Sequence, residues 1–211
     1  MTDYDFLLQN SWFDKNWNIP GNERYLTFKI ALNLLNQTQE NPTIVETGTN
    51  WFNDLGGGRS TNVFGEYVKK YGGQLWTVDI QQESIDACKV FTAGLAENIH
   101  YITDDSHHFL EGFLGTIDLL YLDSFDYPIE AVVPGATDKP QEKIDQEIID
   151  CQNHQLKEMK LAWPKLHVGS IILLDDNQLP GGGKTKMTKE WLKEKGIKLI
   201  LDDAQQSLWQ I

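Results

Sequence analysis

The fold is decided by the stretch TIVETGTN, residues 43–50, together with the glycine-rich segment after it. A short apolar run that passes directly into a carboxylate and a glycine is typical of a buried strand entering a turn. The chain then reaches GGGRST, residues 56–61, where a segment with helical spacing begins. Glycines let the backbone approach a ligand closely. This stretch therefore predicts a strand, a ligand-binding loop and a helix, in that order.

Four further apolar runs resemble the first, because each ends in acidic residues. They are QLWTV (74–78) before Asp79, IHYIT (99–103) before Asp104 and Asp105, IDLLYL (117–122) before Asp123, and SIILL (170–174) before Asp175 and Asp176. Separated by helix-length segments, the five runs predict buried parallel strands joined by right-handed crossovers. Residues 197–201 and 207–211 predict a hairpin that adds two strands. We therefore expect an α/β protein with a mostly parallel, seven-stranded sheet and an antiparallel last strand.

Composition and charge narrow the class of protein. The 211 residues are 40% hydrophobic and 23% charged, which suits one large globular domain. The net charge of -13 repels phosphate backbones, so nucleic acid is not the expected partner. The start of the chain does not have the basic and then apolar pattern of a signal peptide, and no apolar run is long enough for a membrane span. Two cysteines, Cys88 and Cys151, are too few for a disulfide framework, so we expect a cytoplasmic protein with no membrane partner.

Two segments lie outside the alternating pattern. Residues 1–41 carry the aromatic residues Trp12, Phe13 and Trp17 and then an apolar stripe at helical spacing. We expect this N-terminal helical segment to cap the acceptor side of the domain 42–211 or to form a dimer contact, with core packing as the alternative. Residues 127–141, rich in proline and glycine, predict either an active-site lid or a tolerated surface insertion.

The acidic strand ends are expected to form a ligand site. In an open parallel sheet, ligands bind outside the carboxyl ends of the strands, near the switch in strand order. Asp79 suits the hydroxyl pair of a ribose, and Asp105 with Ser106 suits an adenine amino group. The alternative for each of these residues is that it only caps a helix. Glu46 suits a ligand with an amine and a sulfonium. The loop has neither the Gly-Lys-Ser/Thr of a phosphate-binding loop nor the dinucleotide pattern G-x-G-x-x-G.

This order of motifs resembles the class I S-adenosylmethionine-dependent methyltransferases over about residues 42–211. The resemblance implies a Rossmann-like methyltransferase fold with helices on both faces of the sheet, and S-adenosylmethionine as cofactor. The cofactor contacts that it implies are Glu46, Gly48, Thr49, Gly58, Ser60, Asp79, Asp105 and Ser106.

Two further motifs resemble the metal-dependent O-methyltransferases of the catechol, caffeoyl-CoA and macrocin types. They are IDLLYLD, residues 117–123, and LLDDN, residues 173–177. The resemblance implies Asp123, Asp176 and Asn177 as ligands of Mg²⁺ or another divalent cation. Such an oxygen shell suits Mg²⁺, which would orient a substrate hydroxyl and lower its pKa.

One departure from the catechol type leaves the general base open. Asp126 stands where those enzymes have a lysine, so the candidate catalytic residues are Asp123, Asp126 and His154. We expect metal-dependent O-methylation of a small-molecule hydroxyl, on a sugar, a phenol or a natural product, by a protein that forms a homodimer. The alternatives are a nucleotide-cofactor oxidoreductase on a Rossmann-type sheet and a non-catalytic relative that binds the cofactor.

Overall fold

The computed structural model describes residues 12–50, 59–133, 138–203 and 205–211, without the side chains of Trp12 and Asn16. Its seven strands form one sheet in the order β3-β2-β1-β4-β5-β7-β6. The strands are β1 (Thr43–Thr47), β2 (Gln74–Asp79), β3 (Ile99–Thr103), β4 (Ile117–Leu122), β5 (Leu166–Asp175), β6 (Lys198–Asp202) and β7 (Gln206–Gln210). Strands β1 to β5 pair in parallel, and β7 runs antiparallel to β5 and β6. The predicted sheet is confirmed.

Helices cover both faces of the sheet, as predicted. They are α1 (Trp12–Trp17), α2 (Tyr25–Thr38), α3 (Ser60–Tyr71), α4 (Gln82–Phe91), α5 (Ser106–Gly112), α6 (Ile129–Val132), α7 (Gln141–Ala162) and α8 (Lys186–Glu194). Short 3₁₀ turns occupy residues 93–98, 163–165 and 180–182. None of the helices in the described ranges is long and apolar enough to cross a membrane.

The strands have a hydrophobic core on each side because their side chains alternate. Ile44 and Leu119 belong to the core beneath α2 and α3, whereas their neighbours Val45 and Leu120 belong to the core beneath α7 and α8. Every residue of β4 is buried. Runs buried on both faces are continuously apolar, which is why the strands were visible in the sequence.

The N-terminal segment packs into the first of these cores. Phe13 and Trp17 are each only 2% exposed, and the Phe13 ring stacks on Tyr25 at 5.6 Å between centroids. Core packing, the alternative considered for these aromatic residues, is therefore what the structure shows for Phe13 and Trp17. The side chain of Trp12 lies outside the described residues.

The strand order reverses between β1 and β4, and this reversal positions the site. From β1 the chain builds outward through β2 and β3, then returns to place β4 on the other side of β1. Loops that leave β1 and β4 therefore diverge to opposite faces and open a crevice at the carboxyl edge. The proline-rich stretch after β4 contains helix α6, and residues 134–137 within it lie outside the described ranges.

Candidate functional site

A cavity of about 610 Å³ opens at the carboxyl edge, above β1, β2 and β4. It lies where the sequence predicted a ligand site. The predicted residues that line it are Gly48, Thr49, Ser60, Asp79, Asp105, Ser106, Asp123, Asp126, His154 and Asp176. Glu46 and Asn177 are not among the described lining residues, and Gly58 lies outside the described part of the chain.

Gly48, which directly follows β1, brings the backbone of the loop after β1 against the end of β4. Its φ of 83° lies in the left-handed region, and its N–H donates to the carbonyl of Val78 at 2.8 Å. A Cβ atom at this position would lie 2.5 Å from the carbonyl oxygen of Asp123. Only glycine allows this approach without strain, which explains why a glycine follows the carboxylate of β1.

The carboxylate of Asp79 anchors the first loop at the end of β2. Its oxygens accept hydrogen bonds from the backbone N–H of Thr49 at 3.3 Å and of Gln81 at 2.8 Å. Burial raises the pKa of Asp79, and these two N–H groups oppose the rise. The carboxylate is half-buried and lines the cavity, so part of it is available to a ligand.

Glu46 lies beneath the first loop, where it holds three elements together. Its Oε2 accepts hydrogen bonds from the hydroxyls of Thr61 at 2.7 Å and Thr77 at 2.6 Å. The side chain is fully buried, and burial raises its pKa to about 7 although these hydroxyls oppose the rise. In this arrangement Glu46 ties α3 and β2 to β1 and supports the loop from below, so the sequence-based contact with a cofactor amine stays a prediction.

The acidic end of β3 caps a helix. Oδ1 of Asp105 accepts hydrogen bonds from the N–H groups of His107 at 3.0 Å and His108 at 3.1 Å, at the start of α5. These bonds hold the pKa of Asp105 below its ordinary value against the opposing effect of burial. Capping was the simple alternative for this position, and here it coexists with a place in the cavity wall.

His154 reaches the cavity from α7. Its Nε2 lies 3.0 Å from the hydroxyl of Ser124 and 3.2 Å from that of Ser106. One helical turn further, the buried Glu158 accepts a hydrogen bond from Ser124 at 2.5 Å and lies 3.6 Å from His154. Burial alone would raise the pKa of Glu158, but His154 and the two serine hydroxyls lower it. His154 is therefore held between the loops that follow β3 and β4.

The ends of β4 and β5 form an acidic cluster around the buried Asp175. Arg24 Nε lies 2.7 Å from Oδ2 of Asp175, which is fully buried. The Tyr121 hydroxyl donates to the same oxygen and lies 3.2 Å from Asp123, and Gln206 Nε2 donates to Asp175 at 2.9 Å. Burial alone would raise the pKa of Asp175, but the charge of Arg24 and these donors hold it below its ordinary value.

Lys184 lies between the two carboxylates that were predicted to bind a metal. Its Nζ is 2.8 Å from Oδ1 of Asp123 and 2.8 Å from Oδ2 of Asp176. Burial alone would lower the pKa of Lys184, but the charges of Asp123 and Asp176 raise it above its ordinary value. Burial raises the pKa of Asp123, and the charge of Lys184 opposes this rise.

The third predicted metal ligand lies apart from the other two. Nδ2 of Asn177 donates to Asp202 at 2.6 Å, and its Oδ1 accepts from Thr185 at 3.0 Å and Lys189 at 2.7 Å. In the described ranges, no group of three or more His, Cys, Asp or Glu side chains could hold a metal ion. The residues as arranged do not fit a divalent cation, because two predicted ligands bind an ammonium and the third is engaged elsewhere.

Two cations of the site were missed by the sequence reasoning. Arg24 precedes its partner Asp175 by 151 residues, and Lys184 follows Asp123 by 61. Lys184 follows the acidic end of β5 in the segment PGGGK, residues 180–184, which reads as a flexible loop. The one available signal was the excess of carboxylates at the sheet edge, which needs positive partners that spacing does not identify.

One family of known proteins matches the chain. The family described as "Methyltransferase domain" matches residues 54–177, which is more than half of the chain. Among curated protein sequences, none matches the chain significantly.

Solved structures of methyltransferases share the fold. Podospora anserina methyltransferase PaMTH1, bound to S-adenosylhomocysteine, has a TM-score of 0.57 at 13% identity, over 94% of this chain and 92% of that one. CalS11, a TDP-rhamnose 3'-O-methyltransferase of calicheamicin biosynthesis, has a TM-score of 0.54 at 14% identity, over 88% and 77%. An rRNA methylase from Streptococcus thermophilus has a TM-score of 0.51 at 11% identity, over 86% and 94%. At these identities the likeness concerns the fold alone.

Proposed function

Because the chain belongs to the family of methyltransferase domains, we propose that it transfers the methyl group of S-adenosylmethionine to a hydroxyl oxygen of a small molecule. The observation that carries this proposal is one cavity with two chemically different ends. Acceptors suited to a nucleoside, led by Asp79, line the end above β2 and β3, whereas Asp123 and Asp176 line the end above β4 and β5. Its volume of about 610 Å³ lies in the range of small-molecule sites, about 300–1,000 Å³.

The cofactor is assigned to the side of β1, β2 and β3. The half-buried carboxylate of Asp79 accepts the ribose hydroxyls, and the loop at Gly48 and Thr49 brings backbone close to the rest of the cofactor. Asp105 and Ser106 lie at the adenine side, beyond β3. In this orientation the sulfonium methyl points toward the end of β4, where Asp123 ends the strand.

The transfer step is a displacement at carbon. The acceptor oxygen forms a bond to the methyl carbon, the carbon–sulfur bond breaks, and its electron pair stays on sulfur as S-adenosylhomocysteine forms. The proton of the hydroxyl passes to a base of the chain, for which Asp123, Asp126 and His154 are the candidates. Displacement of this kind depends mainly on holding oxygen, carbon and sulfur in line.

Residues of the chain itself carry this step. Asp123 and Asp176 are paired with Lys184, and Asn177 is bonded to Asp202, so the residues as arranged do not fit a divalent cation. The metal dependence that the resemblance to the metal-dependent O-methyltransferases implied is therefore no part of the proposed mechanism.

A small acceptor fits the charge of the protein better than RNA. The formal net charge of -13 opposes the binding of a phosphate backbone. One of the similar structures is an rRNA methylase and another is a TDP-rhamnose 3'-O-methyltransferase, so relatives of this fold are described with both kinds of acceptor. The charge favours the second kind, and sugar and phenol hydroxyls are the acceptors to test first.

The test measures cofactor binding first and transfer second. Calorimetry with S-adenosylhomocysteine should show binding by the wild type and by Asp86→Asn, an exposed carboxylate on α4, and strongly weakened binding by Asp79→Asn. Radiolabelled methyl transfer to a panel of sugar and phenol hydroxyls then identifies the acceptor class. If the wild type does not bind S-adenosylhomocysteine but is stabilised by NADH, the proposal is wrong and an oxidoreductase is indicated. Cofactor binding without transfer to any hydroxyl would indicate a non-catalytic relative.

A further inference from the structure

The ammonium of Lys184 lies where the motifs predicted a metal ion, between Asp123 and Asp176, and it has a hydrogen-bond donor left for a ligand. Its ammonium lies 2.8 Å from a carboxylate oxygen of Asp123 and 2.8 Å from one of Asp176, and its side chain is 3% exposed. An ammonium has three N–H donors. Two of them are used by these carboxylates, and the third makes only a long contact of 3.5 Å with the carbonyl of Asp123. Because Lys184 lines the cavity, the third donor is available to an acceptor oxygen there.

The backbone holds Lys184 at this position. The Lys184 N–H donates to the carbonyl of Asp176 at 3.2 Å. Gly183 has a φ of 65°, and a Cβ atom there would lie 1.9 Å from the same carbonyl, so the loop packs directly on the end of β5. From α7, Gln152 Nε2 donates to the carbonyl of Gly183 at 3.0 Å. The ammonium is therefore delivered by an anchored loop.

The charges of the side chains at this site leave little net negative charge to bind a further cation. Arg24 and Lys184 supply two positive charges against the three carboxylates of Asp123, Asp175 and Asp176. At most one negative charge stays uncompensated, and the positive sulfonium of the cofactor would balance it. A divalent cation would have to displace the buried ammonium, which costs the two ion pairs that Lys184 makes.

Resting on the function proposed above, we infer that the Lys184 ammonium takes the place of a divalent cation in this site. It bridges Asp123 and Asp176, presents its remaining donor to the acceptor oxygen, and makes methyl transfer independent of added metal. Asn177, the third ligand that a cation would need, is instead hydrogen-bonded to Thr185, Lys189 and Asp202. The site is thus built around a cation that is part of the chain.

The experiment measures Mn²⁺ binding, by the loss of the electron paramagnetic resonance signal of free Mn²⁺, in five forms of the full chain. They are the wild type, Lys184→Met, Asp176→Asn, Lys184→Met/Asp176→Asn and the control Lys193→Met, which changes an exposed lysine of the neighbouring helix α8. Methionine keeps the apolar stem of lysine and removes its charge. S-adenosylhomocysteine binding and circular dichroism of each form show that it is folded.

The expected result is that the wild type and Lys193→Met bind no Mn²⁺ at this site. Lys184→Met leaves the partly buried carboxylates of Asp123 and Asp176 without their shared ammonium, so it should bind Mn²⁺ at least about tenfold more tightly than the weakest affinity that the assay detects. Adding Asp176→Asn to Lys184→Met should abolish this gain. Transfer by the wild type should be unchanged by EDTA.

Two results would overturn the inference. The first is stoichiometric Mn²⁺ binding by the wild type that Asp176→Asn removes, a comparison that does not depend on the folding of Lys184→Met. The second is that neither the wild type nor folded Lys184→Met binds Mn²⁺, because the ammonium would then not stand at a cation position. Loss of S-adenosylhomocysteine binding in the wild type is a separate outcome, which refutes the proposed function instead.

Discussion

Replacing Arg24 with methionine should destabilise the protein far more than a surface substitution does. Arg24 Nε lies 2.7 Å from Asp175, whose carboxylate is fully buried, and the guanidinium also lies 3.8 Å from Asp176. In Arg24→Met the Asp175 charge stays in the interior without its cationic partner. The hydroxyl of Tyr121 and the amide of Gln206 still donate to it, so it keeps part of its stabilisation.

The magnitude depends on the burial of the pair. Breaking a buried ion pair by removing one partner costs about 3–5 kcal/mol. Because Tyr121, Gln206 and the N–H of Asp176 still donate to Asp175, we expect Arg24→Met to cost about 3 kcal/mol. The matched control is Lys89→Met, which breaks the pair of Lys89 with Asp86 at 3.4 Å. Because those side chains are 47% and 63% exposed, the control should cost at most about 1 kcal/mol.

Urea unfolding followed by tryptophan fluorescence measures both costs, since the chain has 7 tryptophans. The midpoint should fall in Arg24→Met with little change in the slope with urea concentration. The double variant Arg24→Met/Asp175→Asn should lose less than the two single variants together, with an interaction energy of about 1–3 kcal/mol. If Arg24→Met lowers the free energy of unfolding no more than Lys89→Met does, the pair of Arg24 with Asp175 does not stabilise the fold, and the prediction is wrong.

Three further changes test other parts of the site. Burial raises the pKa of Glu46 from 4.5 to about 7, so the folded state binds more protons than the unfolded state in that window and the free energy of unfolding falls as pH rises through it. Glu46→Gln should flatten this fall in urea titrations across the window, and an unchanged pH slope would contradict the burial argument. Asp79→Asn should weaken S-adenosylhomocysteine binding by about ten- to a hundredfold in calorimetry, the loss expected for charge-assisted hydrogen bonds, whereas equal affinity would remove Asp79 from the cofactor site. Gly48→Ala should lower the free energy of unfolding by about 1–3 kcal/mol through backbone strain and overlap with Asp123, while Gly94→Ala, which has open space around its Cβ position, serves as the control.

The local sequence pattern was sufficient to predict several residues that line the cavity. Gly48, Asp79, Asp105 and Ser106 were predicted from their place after buried strands, and they line one cavity. Parallel strands carry their carboxyl ends to the same edge, so position in a strand was enough to bring these residues together. Their contacts with cofactor stay predictions, and Asp105 also caps a helix, which shows that the same local pattern serves two purposes.

The position of His154 in the site depends on the crossover from β4 through α7 to β5. The residue lies 30 positions beyond Ser124, yet its Nε2 is 3.0 Å from that hydroxyl, because α7 runs back across the sheet before β5 begins. Periodicity alone does not determine which residue of α7 meets the loop after β4. That choice depends on how the helix rotates and packs on the sheet.

The sequence by itself determined the sheet, its acidic edge and the position of a cavity at that edge, because strand burial, alternation and turn chemistry are local properties of the chain. Only the tertiary structure decided which positive groups neutralise the acids. Arg24 comes from the segment before α2 and Lys184 from the loop after β5, and both meet carboxylates that are distant in sequence. Buried charges must be paired by whatever group the packing brings within reach. For Asp123 and Asp176 that group is the ammonium of Lys184, in the place where the motifs alone predicted a metal ion.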